Sequence, residues 1–104
     1  MITLYINTTD RFESVIKLVA GKKNFEKKLK SEKPMSEKVL VLIKSVCDEA
    51  RIEPQEIDEI EVATGPGSYT GIRVGVAIAN ALGVLVHAKI NGQSFGKLAE
   101  AAYS

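Results

Sequence analysis

The sequence predicts one α/β domain, a five-stranded mixed sheet with three helices in the order β-β-β-α-β-α-β-α. Three observations carry this reading. Short alternating apolar runs open the chain at a spacing that suits antiparallel hairpins. Two later segments repeat apolar residues at helical spacing, with a short strand-like run between them. The length is 104 residues, with no repeat and no linker-like stretch. One domain is therefore expected, burying about 60–68% of the surface of its unfolded chain.

Each element follows from its residues. Ile2, Leu4 and Ile6 alternate with Thr3, Tyr5 and Asn7, giving a strand with one buried face. Thr8 to Arg11 is a turn whose short side-chain oxygens can bond the local backbone. Ser14 to Val19 is a second strand, Gly21 to Lys23 a second turn, and Asn24 to Lys30 a third strand anchored by Phe25 and Leu29. Three strands so closely spaced form an antiparallel meander. Lys33 to Ser36 introduces a helix, with Ser36 as N-cap and Glu37 at the positive end of the dipole. Val39, Leu42, Ile43, Val46, Cys47 and Ala50 fall at helical spacing, and Leu40 and Val41 widen the apolar arc. Arg51 to Pro54 ends this helix, and Ile60 to Ala63 is a fourth strand. A glycine turn and a second helix follow. Val84 to Ile90 is expected as a fifth strand, Asn91-Gly92 as a turn, and Ser94 to Tyr103 as a terminal helix.

The most informative segment is 65–83. Gly65, Pro66, Gly67, Ser68, Tyr69, Thr70 and Gly71 form a turn leading into the second helix, with Ser68 or Thr70 as its cap. Gly71, Gly75, Ala79 and Gly83 are spaced by four, so on a helix they form one stripe. Glycine inside a helix costs about 1 kcal/mol against alanine. A stripe this regular implies close approach by another backbone. Ile72, Val74, Val76, Ile78, Ala81 and Leu82 are spread around the helix, leaving Arg73 and Asn80 as its polar residues. A helix apolar nearly all round is a buried one. One side can pack on the sheet; the other calls for a neighbouring helix, a partner protein or both. Cover by the chain's own fold on one side and a partner on the other is the favoured reading.

Composition excludes several functions. The net charge is +1, which gives no general attraction to nucleic acid or membrane. Lysines cluster between Lys22 and Lys33 with Glu26 and Glu32 among them; a solvated edge strand explains them better than an RNA contact. His87 is the lone histidine and Cys47 the lone cysteine, so no zinc site of Cys/His type and no internal disulfide are expected. The N-terminus lacks the pattern of a leader, no long run is free of glycine and charge, and a cytoplasmic protein is expected. The glycine turn is neither GxxxxGK[ST] nor GxGxxG, and no lysine follows Gly71. Ser68 directly follows Gly67, with the next glycine three residues on, so the turn is not the GxSxG of a nucleophile elbow. No catalytic residue and no metal ligand is assigned.

Gly65-Pro66-Gly67-Ser68-Tyr69-Thr70-Gly71-Ile72-Arg73-Val74-Gly75 resembles the GPGSFTG-hydrophobic-Arg-hydrophobic-Gly signature of the TsaB (YeaZ) family, with Tyr69 in the phenylalanine place. The order of elements is also similar to that family's N-terminal lobe, so the resemblance covers essentially the whole chain. It implies a ribonuclease-H-like lobe of the actin, Hsp70 and sugar-kinase group. It also implies a role beside the enzyme that installs threonylcarbamoyl on the adenosine next to the anticodon of tRNA. The catalytic subunit of that system is TsaD, and a TsaE-type ATPase belongs to the wider complex. The family pairs with TsaD, or with itself when alone, through two helices matching 36–51 and 68–83. The implied partner surface is Val39, Leu40, Ile43, Gly71, Val74, Gly75, Ile78, Ala79 and Leu82. Three departures from the family pattern bear on nucleotide binding. Neutral Asn7 stands where an aspartate usually ends the first strand, and no histidine is present at Met35-Ser36-Glu37, where the family's first helix often begins near one. The family's second lobe, which would enclose a nucleotide, is not in this sequence, as expected of either a one-lobe relative or a chain that ends early. A noncatalytic partner subunit with no cofactor is therefore expected, and ATP binding by this chain alone is not. The competing reading is a nucleotide half-site completed by a second chain or copy. Direct contact with tRNA is left open.

Overall fold

The computed structural model describes residues 1–10, 12–30, 36–94 and 96–100. β1 (Ile2–Asn7), β2 (Glu13–Ala20) and β3 (Lys23–Lys30) are the expected meander. α1 (Ser36–Ala50) and a single 3-10 turn (Pro54–Glu56) lead to β4 (Glu59–Val62). α2 (Tyr69–Val86) and β5 (Lys89–Ile90) complete the order. The sheet runs β3-β2-β1-β4-β5. The β1–β2 and β2–β3 pairs are antiparallel, while β1–β4 and β4–β5 are parallel. The mixed five-stranded sheet is therefore present.

Both helices lie on one face of it. Leu4 pairs with Leu18 and Ile60, and Ile6 with Ile16 and Val62, so these side chains share one side of the sheet. α1 covers β2 and β3, while α2 covers β4, β1 and β5, and the two helices touch. Val39, Ile43, Val46 and Cys47 of α1 join Ile72, Val76, Ile78 and Ala79 of α2 in the same core. Thr3, Tyr5, Asn7, Lys17 and Glu61 point to the opposite face, which no helix covers among the described residues. There Lys17 Nζ sits 5.6 Å from the Tyr5 ring centroid.

Helix ends are set by single residues. Arg51 is left-handed (φ 59°), and Ile52 N–H donates to Cys47 C=O at 3.0 Å, so α1 closes with a Schellman turn. His87 does the same for α2: it is left-handed, and Ala88 N–H donates to Gly83 C=O at 3.0 Å.

Two expectations are corrected at the C-terminal end. The apolar run Val84-Leu85-Val86 reads as strand, yet nothing there breaks a helix, and α2 continues through Val86 to its cap at His87; β5 keeps Lys89 and Ile90. The expected terminal helix over 94–103 is not formed at Ser94 or at 96–100, and 101–104 lie outside the described residues. Gly96 is left-handed (φ 94°), which a helix does not allow. Asn80 takes over the segment instead. Its Nδ2 donates to Ala99 C=O at 3.0 Å, and its Oδ1 accepts from Ala99 N–H at 2.8 Å. The structure thus has two α-helices among the described residues, not three.

Candidate functional site

The glycine turn packs where the parallel strands β1 and β4 end. Ser68 N–H donates to Thr9 C=O at 2.7 Å, tying the turn to the residues that follow β1. Ser68 is the N-cap: its Oγ accepts from Gly71 N–H at 3.3 Å. A Cβ on Gly67 would stand 2.5 Å from Thr9 C=O oxygen, and the backbone there has φ 155°. The Gly65–Pro66 peptide is cis. Thr8 is wholly buried, and its hydroxyl donates to Gly71 C=O inside the first turn of α2. A Cβ on Gly75 would collide with that hydroxyl. Gly83 meets Ile90 in the same way, at 2.7 Å. Asn7 Oδ1 holds Thr9 N–H at 3.0 Å and Thr9 Oγ1 at 2.8 Å.

These contacts decide which way the small-residue stripe faces. Close approach does occur at Gly75 and Gly83, but the nearest groups are side chains rather than another backbone, the Thr8 hydroxyl and Ile90, and both belong to this chain. Gly71, Gly75 and Ala79 are buried, and so are Val39, Ile43 and Ile78. Assigning these residues to a partner surface is corrected accordingly, because their space is already filled. Of the expected surface, Leu40 is exposed, while Val74 and Leu82 are half-buried. The outward stripe of α2 is instead Arg73, Ala77, Ala81, Val84 and Leu85. Leu85 is 75% exposed, Val84 58%, and Val41 on α1 66%. Arg73 is the stripe's one charge. Its guanidinium lies 5.5 Å from the Tyr69 ring centroid, and Nη1 is 3.3 Å from the Tyr69 hydroxyl.

Little in the site suits chemistry. Among the described residues no group of three His, Cys, Asp or Glu is placed to hold a metal. Burial, then the nearby Asp48 and Glu53 charges, push the Cys47 thiol above its ordinary pKa, with Lys44 opposing. That thiol is a core group rather than a nucleophile. A cleft of about 710 Å³ lies past β4, lined by Thr64, Asn80, Asn91, Gln93, Lys97 and Glu100, with Leu98 and Ala99. The amides of Asn80 and Asn91 there are spent on backbone groups.

Sequence reasoning missed Thr8, although Leu4, Ile6 and Thr8 share the period-2 spacing that marks the inward face. It also missed both asparagine clamps. Asn80, alone among apolar neighbours in the last half of α2, was the available signal.

A mixed sheet with two helices on one face and a glycine turn into the second helix defines an actin-type α/β lobe. The family model described as "TsaD: tRNA N6-adenosine threonylcarbamoyltransferase" matches residues 27–92, and the chain belongs to this family. Curated relatives carry the TsaB name. "tRNA threonylcarbamoyladenosine biosynthesis protein TsaB" of Bacillus subtilis is 39% identical over 51 residues, 49% of this chain and 22% of that protein. The Haemophilus influenzae protein of the same name is 29% identical over 79 residues, 76% of this chain and 33% of that one. Among solved structures, YeaZ from Pseudomonas aeruginosa superimposes with a TM-score of 0.80 at 18% identity, covering 86% of this chain and 41% of that one. An uncharacterized protein with similarity to peptidase YeaZ from Pseudomonas aeruginosa gives 0.81 at 17% identity, covering 98% and 43%. The matched region thus spans a third or less of these curated relatives and under half of these solved chains.

Proposed function

We propose that this chain is a noncatalytic, TsaB-like partner lobe that supports a TsaD-type enzyme in threonylcarbamoyl modification of the tRNA adenosine next to the anticodon. It pairs with that enzyme, or with a second copy when alone, through the outer faces of α1 and α2. The observation that carries this reading is the apolar outer stripe of α2, joined by two exposed apolar residues of α1. Ala77, Ala81, Val84 and Leu85 on α2 and Leu40 and Val41 on α1 are open to solvent. Burial of such side chains contributes about 25 cal/mol per Å² of apolar area, and the chain's own sheet is already occupied on the other side of α2. The relatives' names support the tRNA-modification setting.

The test is association of Ala81→Glu and Leu85→Glu variants, read by light scattering and by binding to a purified TsaD-type subunit. Both side chains point outward, so the variants keep the wild-type fold by circular dichroism. Their Kd should weaken at least about tenfold, ~1.4 kcal/mol. Unchanged association in both variants, or a wild type that binds neither itself nor the enzyme, overturns the reading. ATP with magnesium should give no heat of binding to this chain, since Asn7 offers no charge and Ser68 takes up the Gly71 and Ile72 N–H groups in the first turn of α2. Micromolar ATP binding would favour a nucleotide half-site instead.

A further inference from the structure

We propose that Asn91 is a deamidation site, and that the hydrogen bonds making its side chain part of the sheet hold the reaction back in the folded protein. Asn91 and Gly92 are the central residues of a turn closed by Gln93 N–H donating to Ile90 C=O at 3.0 Å. Their φ values are +50° and +72°, which with that bond makes a type I′ turn. Gly92 is exposed, and a Cβ there would meet nothing within 4 Å, so no side chain crowds the turn. Of Asn7, Asn24, Asn80 and Asn91, Asn91 alone precedes glycine.

The side chain has a structural task. Asn91 N–H donates to Ile60 C=O at 2.8 Å, which continues the ladder between β4 and β5. Its Oδ1 then accepts from Val62 N–H at 2.7 Å, and its Nδ2 donates to Val62 C=O at 3.1 Å. β5 has two residues, so the amide stands in for the strand residue that would come next. It satisfies both polar groups of Val62 at once.

The chemistry needs water and no other co-reactant. The deprotonated Gly92 nitrogen attacks Asn91 Cγ, and the bond from Cγ to Nδ2 breaks, releasing ammonia and leaving a cyclic imide. Water adds to one imide carbonyl and opens the ring, giving aspartate or isoaspartate. Attack requires Cγ to swing toward Gly92 while both amide atoms are pinned to Val62. The rate in the folded chain therefore follows the fraction of time this sheet edge is open. The product cannot return to the same clamp. A carboxylate still accepts from Val62 N–H, but it has no donor for Val62 C=O and sets oxygen against oxygen. Isoaspartate also lengthens the backbone at the turn. The Asn80 bonds to Ala99 and the burial of Ala99 then remain to tie the described part of the segment after Gln93 to the fold.

The test incubates the intact chain in mildly alkaline buffer, folded and in urea, and follows each asparagine by peptide mass mapping and an isoaspartate-specific assay. Asn91 should convert at least about tenfold more slowly when folded, and in urea it should outpace Asn7, Asn24 and Asn80. Asn91→Asp should show faster amide exchange at Val62 than wild type. Equal folded and unfolded rates at Asn91 overturn the proposal. So does conversion of the other asparagines as fast as Asn91 in urea, or an Asn91→Asp protein with wild-type exchange at Val62. Should that variant fail to fold, the paired rates on the wild-type chain decide alone.

Discussion

Thr8 and Gly75 show how a family signature can be a packing requirement. The Thr8 hydroxyl occupies the place where a Gly75 Cβ would go, and it donates to the backbone of α2. Alanine at 75 should gain about 1 kcal/mol in helix propensity, yet overpacking costs about 1–3 kcal/mol. Gly75→Ala is therefore expected to lower stability in urea unfolding. In a Thr8→Ala background the clash is gone, so the same substitution should be neutral or stabilising. Additive losses in the double variant would disprove the contact. Small residues spaced by four were legible in the sequence, because a helix tolerates glycine at that interval only where another group must come close. What they pack against was not, because a hydroxyl reaching in from residue 8 is invisible to a helical pattern. Cys47 gives a second residue-level prediction. Its folded pKa lies above its unfolded one, so the native state keeps the proton longer. That stability is present below the unfolded thiol pKa of about 8.5 and is lost as pH rises through the folded value. Cys47→Ala should remove this part of the alkaline decline, and iodoacetamide should label wild-type Cys47 slowly until the chain unfolds.

At the scale of elements, strands 1 to 4 and both long helices follow from periodicity, and the last two expectations fail for one reason. Val84, Leu85 and Val86 have the composition of a strand, and local composition does not say where a helix already under way must stop. The stop comes from His87 adopting the left-handed conformation, a backbone choice that histidine does not advertise. The terminal segment is then placed by side-chain amides rather than by its own helical pattern. Asn80→Ala should free it: amide exchange at Ala99 should rise sharply, while exchange at Leu4, Ile6 and Ile60 stays near wild type. If Ala99 exchange does not change, the two Asn80 bonds contribute nothing to holding the segment.

For the whole molecule, the two sides of the sheet pose opposite problems. The side away from the helices carries Lys17 and Glu61, and Lys17 pairs across the strands with Glu26 and Tyr5, so water suits it. The outer stripe of α2 carries Ala77, Ala81, Val84 and Leu85 with Arg73 as its charge, so water suits it poorly. A chain with net charge +1 has little general repulsion to keep such faces apart. Association through the helix layer should thus be driven by apolar burial and respond weakly to simple salt. Raising ionic strength from about 0.1 M to about 1 M shortens the Debye length from about 10 Å to about 3 Å. A lysine-based contact along β3 would weaken steeply over that range, whereas the helix-layer contact should hold or tighten. Sulfate, which is excluded from apolar surface, should strengthen it further. Sedimentation velocity at both salt concentrations separates the two, and dissociation at high salt would move the interface from the outer helices to the lysine edge.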